Sequence, residues 1–212
     1  YSNTELASTG LPEGKELEIL EAYRGRVPEQ VFTETYAPPS TDGSGNLRQN
    51  LRVATQILAE TGWVVKDGKL AHEKTGEGMS IEFLISSPTW ERIIGPYIQN
   101  LERLGVEANI RLVDTAQFQN RLQEYDYDAI VSLRGQSLSP GNEQRNYWTS
   151  ESADEPGTRN YAGIKDPVVD ELVDKLINSS DRETLVATTR ALDRVLLWGH
   201  YIVPLYHRGA DR

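Results

Sequence analysis

The chain has 212 residues, 38% hydrophobic and 25% charged, enough for one large or two small globular domains and too apolar for disorder. Lys plus Arg number 22 against 32 Asp plus Glu, a formal net charge of -10, which disfavours both nucleic-acid phosphates and a polybasic membrane anchor. Cysteine is absent, which removes disulfides, thiol catalysis and Cys-ligated zinc.

No apolar run approaches the ~20 residues of a membrane helix. The opening YSNTELASTG has neither the basic nor the apolar region of a signal peptide. It starts on Tyr1 rather than Met, and the chain stops at GADR just after an apolar run. Both ends are therefore expected to be cuts from a longer protein.

Residues 1–45 are expected to form an N-terminal arm packed on a neighbouring surface. Leu17, Leu20 and Tyr23 share a short helical spacing. The stretch from Pro28 is read as extended, with Pro38-Pro39, Gly43 and Gly45 as breakers.

The α/β domain is expected over 46–212. Asn46 is a candidate N-cap for a helix with Leu47, Leu51, Ala54 and Leu58 on one face, ended by Gly62. WVVKDGKLAH predicts a hairpin turning at Asp67-Gly68. SIEFLIS alternates as a strand, with Ile81, Phe83 and Ile85 on one side.

Ser87-Pro88 then opens a helix running to Leu104, expected to kink at Gly95-Pro96 and to end at Gly105. VEANIRLVD is a second strand, TAQFQNRLQEY a helix with Phe118, Leu122 and Tyr125 inward, and YDAIVSL a third strand. This β-α-β-α-β order predicts a mixed, partly parallel sheet flanked by helices.

Two more helices follow. Asp166-Pro167 caps one with Val169, Leu172, Val173 and Leu176 along a stripe. Ser180 and Glu183 read as a capping box for one ending at Trp198-Gly199, and YIVPLYH as a closing strand.

Catalytic templates fail. GLPEGK (Gly10–Lys15) lacks phosphate-loop spacing and its Ser/Thr, GSGNLR lacks a third glycine, and no G-x-S-x-G occurs. His72, His200 and His207 show no metal-ligand spacing, so no metal and no cofactor is expected. Asp126 and Asp128 have the spacing of an acid–base pair, but a solvated turn leading into a strand is the better explanation. Asn178-Ser-Ser matches a glycosylation sequon and also a helix end followed by a cap. Trp63 and Trp198 are expected in the core, and Trp90 in core or cleft.

RGQSLSPGNEQRNYW (Arg134–Trp148) stands out. It follows a strand, and ligands in α/β sheets settle beyond the carboxyl ends of strands. Arg134 can grip an anion bidentately. Gln136, Ser137, Ser139, Asn142 and Gln144 can serve an amide backbone, while Gly135, Pro140 and Gly141 let the chain turn. No nucleophile–base pair is present, so this is a binding inventory. A long solvated connection is the alternative. The candidate ligand contacts are Arg134, Gly135, Gln136, Ser137, Leu138, Ser139, Asn142, Arg145 and Trp148.

The run RVATQILAETGW, KDGKL and IEFLIS, continued by ERIIGPYIQNLERLGVEANIRLVDTAQFQNRLQEYDYDAIV and DPVVDELVDKLINSSDRETLVATTRALDRVLLWGHYIVPLYH, resembles family 5 of the solute-binding proteins of ABC peptide importers. SLSPGNEQRNYW and YSNTELASTGLP look most like its YejA-like branch, associated with oligopeptides and the peptide antibiotic microcin C. The resemblance implies one lobe of a two-lobed, type II periplasmic-binding-protein clamp. Its implied partners are an oligopeptide or peptide-like ligand, the remaining lobe of the same protein and a membrane ABC permease. The implied setting is periplasmic, or extracellular and membrane-associated through the transporter, for a monomer without nucleic acid.

Many such proteins place an aspartate in the loop after the strand matching DAIVSL, to pair with a ligand's ammonium group. The matching position here is Ser137. Glu143 is the nearest acid, and otherwise the ammonium is not the anchor and Arg134 favours an anionic group. Two other classes stay open: a hydrolase using Asp126 and Asp128, and a protein-docking lobe presenting an acidic face.

Overall fold

The computed structural model describes residues 1 and 4–205. Helix α1 (Gly14–Glu21) buries Leu20 completely. The short helix α2 (Gln30–Thr33) sends Val31 and Phe32 into the same core. This corrects the reading of the segment after Pro28 as extended: burial of two large side chains stabilises a turn whose local helix propensity is weak.

Helix α3 (Arg48–Glu60) turns Leu47, Leu51, Ala54 and Leu58 to its half-buried side. Asn46 Oδ1 accepts the Arg48 N–H at 3.2 Å, and Gly62 adopts φ +86° beyond its end. Strands β1 (Trp63–Lys66) and β2 (Lys69–His72) pair antiparallel, with Asp67 and Gly68 at φ 51° and 78°, as a type I′ turn requires.

Strand β3 (Ser80–Ile85) leads through a 3₁₀ turn (Pro88–Trp90), capped by Ser87, into α4 (Glu91–Arg103). Helix α4 continues through Gly95-Pro96. Strand β4 (Glu107–Leu112), α5 (Thr115–Gln123) and β5 (Ala129–Ile130) follow. The sheet order is β4-β3-β5, all parallel, with Phe83 opposite both Ile110 and Ala129. β5 is shorter than YDAIVSL predicts. Only Ala129 and Ile130 meet a partner strand, and a strand exists only where its backbone is paired.

The chain ends in α6 (Glu143–Trp148), α7 (Ser150–Ala153), α8 (Pro167–Ile177) and α9 (Arg182–Trp198). Asp166 caps α8 by accepting the Val168 N–H at 2.8 Å. Val169, Leu172, Val173 and Leu176 are at most 1% exposed, each contributing roughly 1.5–3 kcal/mol of burial. The capping box at Ser180 does not form. Asp181 takes its place, its carboxylate accepting the Thr184 N–H at 2.8 Å, and an ionised acceptor suits a helix N-terminus better than a hydroxyl. Residues 201–205 are exposed and pair with no strand, which corrects the closing strand; Tyr206 and His207 lie outside the described residues.

Contacts divide the chain into two compact units along a line other than the 45/46 boundary. One joins Tyr1–Pro38 to the chain from Arg134 onward; the other is Pro39–Leu133. The first has a helical core in which α1 and α2 pack with α8, α9 and Trp148. Arg194 of α9, 1% exposed, ties its opening segment down: Nε donates to Glu16 Oε1 at 2.7 Å and Nη1 to Gly10 O at 2.8 Å. The second unit carries the parallel sheet, with Phe83, Ile85 and Ile94 at the centre of its core.

Candidate functional site

The Arg134–Trp148 stretch lies in the first unit. Its second half is helical, so the loop proper spans residues 134–142. Gln144 is fully buried and holds that loop. Its Nε2 donates to Gln136 Oε1 at 2.7 Å and to Glu143 Oε1 at 3.1 Å. Its Oε1 accepts from Trp148 Nε1 at 2.9 Å and from the Tyr1 hydroxyl at 2.7 Å. A buried amide satisfied on both ends fixes whatever it touches.

The nine expected contacts separate by exposure. Ser137, Leu138, Ser139 and Asn142 are exposed, with Leu138 at 57%. Gly135 is exposed as well, with open space where a Cβ would stand. Ser137 Oγ accepts the Ser139 N–H at 3.1 Å, a local turn that leaves the hydroxyl proton available. Gln136 faces Gln144. Arg145 is exposed and paired with Asp174 at 2.7 Å. Trp148 is 5% exposed and belongs to the core, where it forms the floor under Arg134, whose guanidinium carbon lies 4.4 Å from the ring centroid.

Burial pushes the Glu143 carboxyl up, but the Gly141 N–H at 2.9 Å and the Gln144 amide outweigh it, so it is held below the usual carboxylate range. Glu143 is thus an ionised brace for the loop. Burial, with Asp193 and Glu143 nearby, pushes the Tyr1 phenol up, so it stays a neutral donor.

Sequence reasoning passed over Gln144 as anything but one polar group among several, and missed Arg159. Asn160, fully buried, donates to Thr149 O and Ile164 O, both at 3.0 Å, and accepts the Ile164 N–H at 2.9 Å. These bonds fix the loop after α7 so that Arg159 stands beside Arg134, whose Nη2 donates to Arg159 O at 3.4 Å. An arginine in an irregular segment carries no signal of that placement in the sequence.

Asp126 and Asp128 have structural partners. Asp126 pairs with Arg121 Nε at 2.8 Å, and Asp128 Oδ2 accepts the Glu82 N–H at 2.8 Å. A recess of about 320 Å³ in the second unit is lined by Arg111, Val113, Gln117, Asn120 and Arg121. Both of its arginines are ion-paired to Glu82. Among the described residues no His, Cys, Asp and Glu cluster of three or more is placed to hold a metal ion, and no helix is long and apolar enough to cross a membrane.

The parallel sheet with crossover helices of the second unit, and in the first unit a braced polar loop without a nucleophile–base pair, define an α/β protein of the periplasmic-binding type. The chain belongs to the bacterial extracellular solute-binding proteins, family 5, whose middle-region model matches residues 18–156. It is 49% identical over 205 residues to the uncharacterized protein y4wM of Sinorhizobium fredii, covering 97% of this chain and 31% of that protein. It is 44% identical over 209 residues to the probable peptide-binding protein YejA of Agrobacterium fabrum, covering 99% and 34%. The chain therefore spans about a third of the length of these curated relatives.

Solved structures share the fold. The mannohexaose-bound periplasmic oligopeptide-binding protein of Thermotoga maritima superposes with a TM-score of 0.65 at 18% identity, over 93% of this chain and 34% of that one. The oligopeptide-binding protein AppA of Bacillus subtilis, in complex with a nonapeptide, gives 0.62 at 20% identity, over 89% and 38%.

Proposed function

We propose that this chain supplies part of the ligand-binding cleft of an extracytoplasmic solute-binding protein that takes oligopeptides and delivers them to a membrane ABC permease. The protein acts without catalysis or cofactor, as a periplasmic monomer whose remaining lobe completes the cleft. The observation that carries the reading is the Gln136–Gln144 pair. It braces a loop from below while Ser137, Leu138, Ser139 and Asn142 stay open to a partner. Exposed hydroxyl and amide groups on a preorganised loop suit the alternating donors and acceptors of a peptide backbone.

Ser137 is neutral, and Glu143 is committed to Gly141 N and Gln144. The ligand's ammonium group is accordingly not the anchor at this loop. Mass spectrometry of molecules that co-purify with the full-length protein tests the proposal. Intact oligopeptides are expected; a saccharide or metal chelate recovered in their place would remove it.

A further inference from the structure

Resting on that oligopeptide reading, we infer that Arg159, beside Arg134 and against Tyr147, receives a carboxylate group of the ligand. In the first unit, Arg24, Arg26, Arg145, Arg182 and Arg194 each touch a carboxylate of the protein. Arg159 does not. Its guanidinium is exposed and makes one hydrogen bond, from Nη1 to the Tyr147 hydroxyl at 2.9 Å. Its carbon lies 5.8 Å from the Tyr147 ring centroid. Arg159 is thus an exposed arginine without an ion pair among the described residues, in a chain of net charge -10.

The position is also rigid. The Arg159 N–H donates to Asn146 Oδ1 at 2.9 Å and to Asn146 O at 3.1 Å, and the next residue is the buried Asn160. The guanidinium of Arg134 lies 5.7 Å from the same Tyr147 ring and 5.9 Å from that of Tyr161. Two guanidinium groups thus share one aromatic surface next to the braced loop. Aromatic faces hold a guanidinium in plane and leave its N–H edge available, and that edge matches the two oxygens of a carboxylate. Nη2 of Arg159 makes no hydrogen bond within the described residues.

The carboxylate can come from a peptide C-terminus or from an acidic side chain, and calorimetry on the full-length protein separates the two. The probes are tetra-alanine, tetra-alanine amide, and the amidated peptides Ala-Ala-Asp-Ala and Ala-Ala-Asn-Ala. Wild type is expected to bind at least one carboxylate peptide about tenfold or more tightly than its neutral counterpart. Arg159→Gln is expected to abolish that ratio, and Arg159→Lys to keep part of it, with thermal unfolding unchanged. A preference for tetra-alanine over its amide assigns the C-terminal carboxylate; a preference for Asp over Asn assigns the side chain. If the peptides bind but both ratios are one, or a ratio survives in Arg159→Gln, the inference is overturned and the peptide reading stands. If no peptide binds, both fall.

Discussion

Gln144 Nε2 donates to Gln136 Oε1 at 2.7 Å, which makes one buried amide the support of the whole exposed loop. Replacing Gln144 by Leu keeps much of the volume but leaves Trp148 Nε1, the Tyr1 hydroxyl and the Gln136 amide without their partner. We expect a loss of about 3 kcal/mol in urea unfolding, from unsatisfied buried groups, and a fall of about tenfold in peptide affinity from the loosened loop. Unchanged affinity in a folded variant would show that the brace does not serve binding.

The buried Arg194–Glu16 pair, at 2.7 Å, joins α9 to the start of the chain. Breaking it with Arg194→Met strands Glu16 and is expected to cost about 3–5 kcal/mol. Burial raises the Glu16 carboxyl above its ordinary range, and the hydrogen bond and charge of Arg194 only partly offset this. A carboxyl raised on folding binds its proton more tightly in the native state. Its own contribution is full below the unfolded pKa and is lost as pH rises through the folded one. Glu16→Gln should therefore remove a decline in stability with rising pH, beginning near the unfolded carboxyl value of about 4.3. Urea midpoints across mildly acidic pH would read this directly, and parallel curves for wild type and Glu16→Gln would contradict it.

Gly105, at the end of α4, sits at φ +85°, and a Cβ there would come within 2.7 Å of the Leu70 backbone nitrogen. That nitrogen donates to Gly105 O at 2.7 Å, which locks the hairpin against the helix end. Gly105→Ala is expected to destabilise by about 2–3 kcal/mol through strain and clash combined. Hydrogen exchange should localise the loss to β2 and α4. Protection in both elements equal to wild type would refute the clash.

With a neutral Ser137 and a committed Glu143, N-acetylation of a tetrapeptide is expected to change its affinity by less than about tenfold, well under the 2–5 kcal/mol that truncating a buried charge pair typically costs. Calorimetry with the free and acetylated forms decides the point. A loss of a hundredfold would establish an ammonium anchor.

Much of the second unit was legible because its signals are local. Asp67-Gly68 specifies its own turn, and alternation in SIEFLIS and VEANIRLVD gave strands that pair as expected. Asp166-Pro167 likewise marks a helix start that the Val168 N–H bond realises. Apart from the cap that shifts from Ser180 to Asp181, the misses are non-local. Val31 and Phe32 become helical because a distant core receives them, β5 is as short as its pairing with β3, and YIVPL remains unpaired in the described residues. At the site, the loop's polar character was visible from composition and order. Its division into a brace and an open edge was not, because it depends on the burial of Gln144 and Trp148. Arg159 could not be found at all, since only folding brings it beside Arg134.

Titration calorimetry of the full-length protein with tetra-alanine is the most direct test of oligopeptide binding by this fold. Saturable binding at a single site is predicted, with the peptide recovered intact afterwards. Absence of heat with tetra-alanine and with longer alanine peptides, or cleavage of the peptide in the cell, would contradict a non-catalytic oligopeptide-binding role.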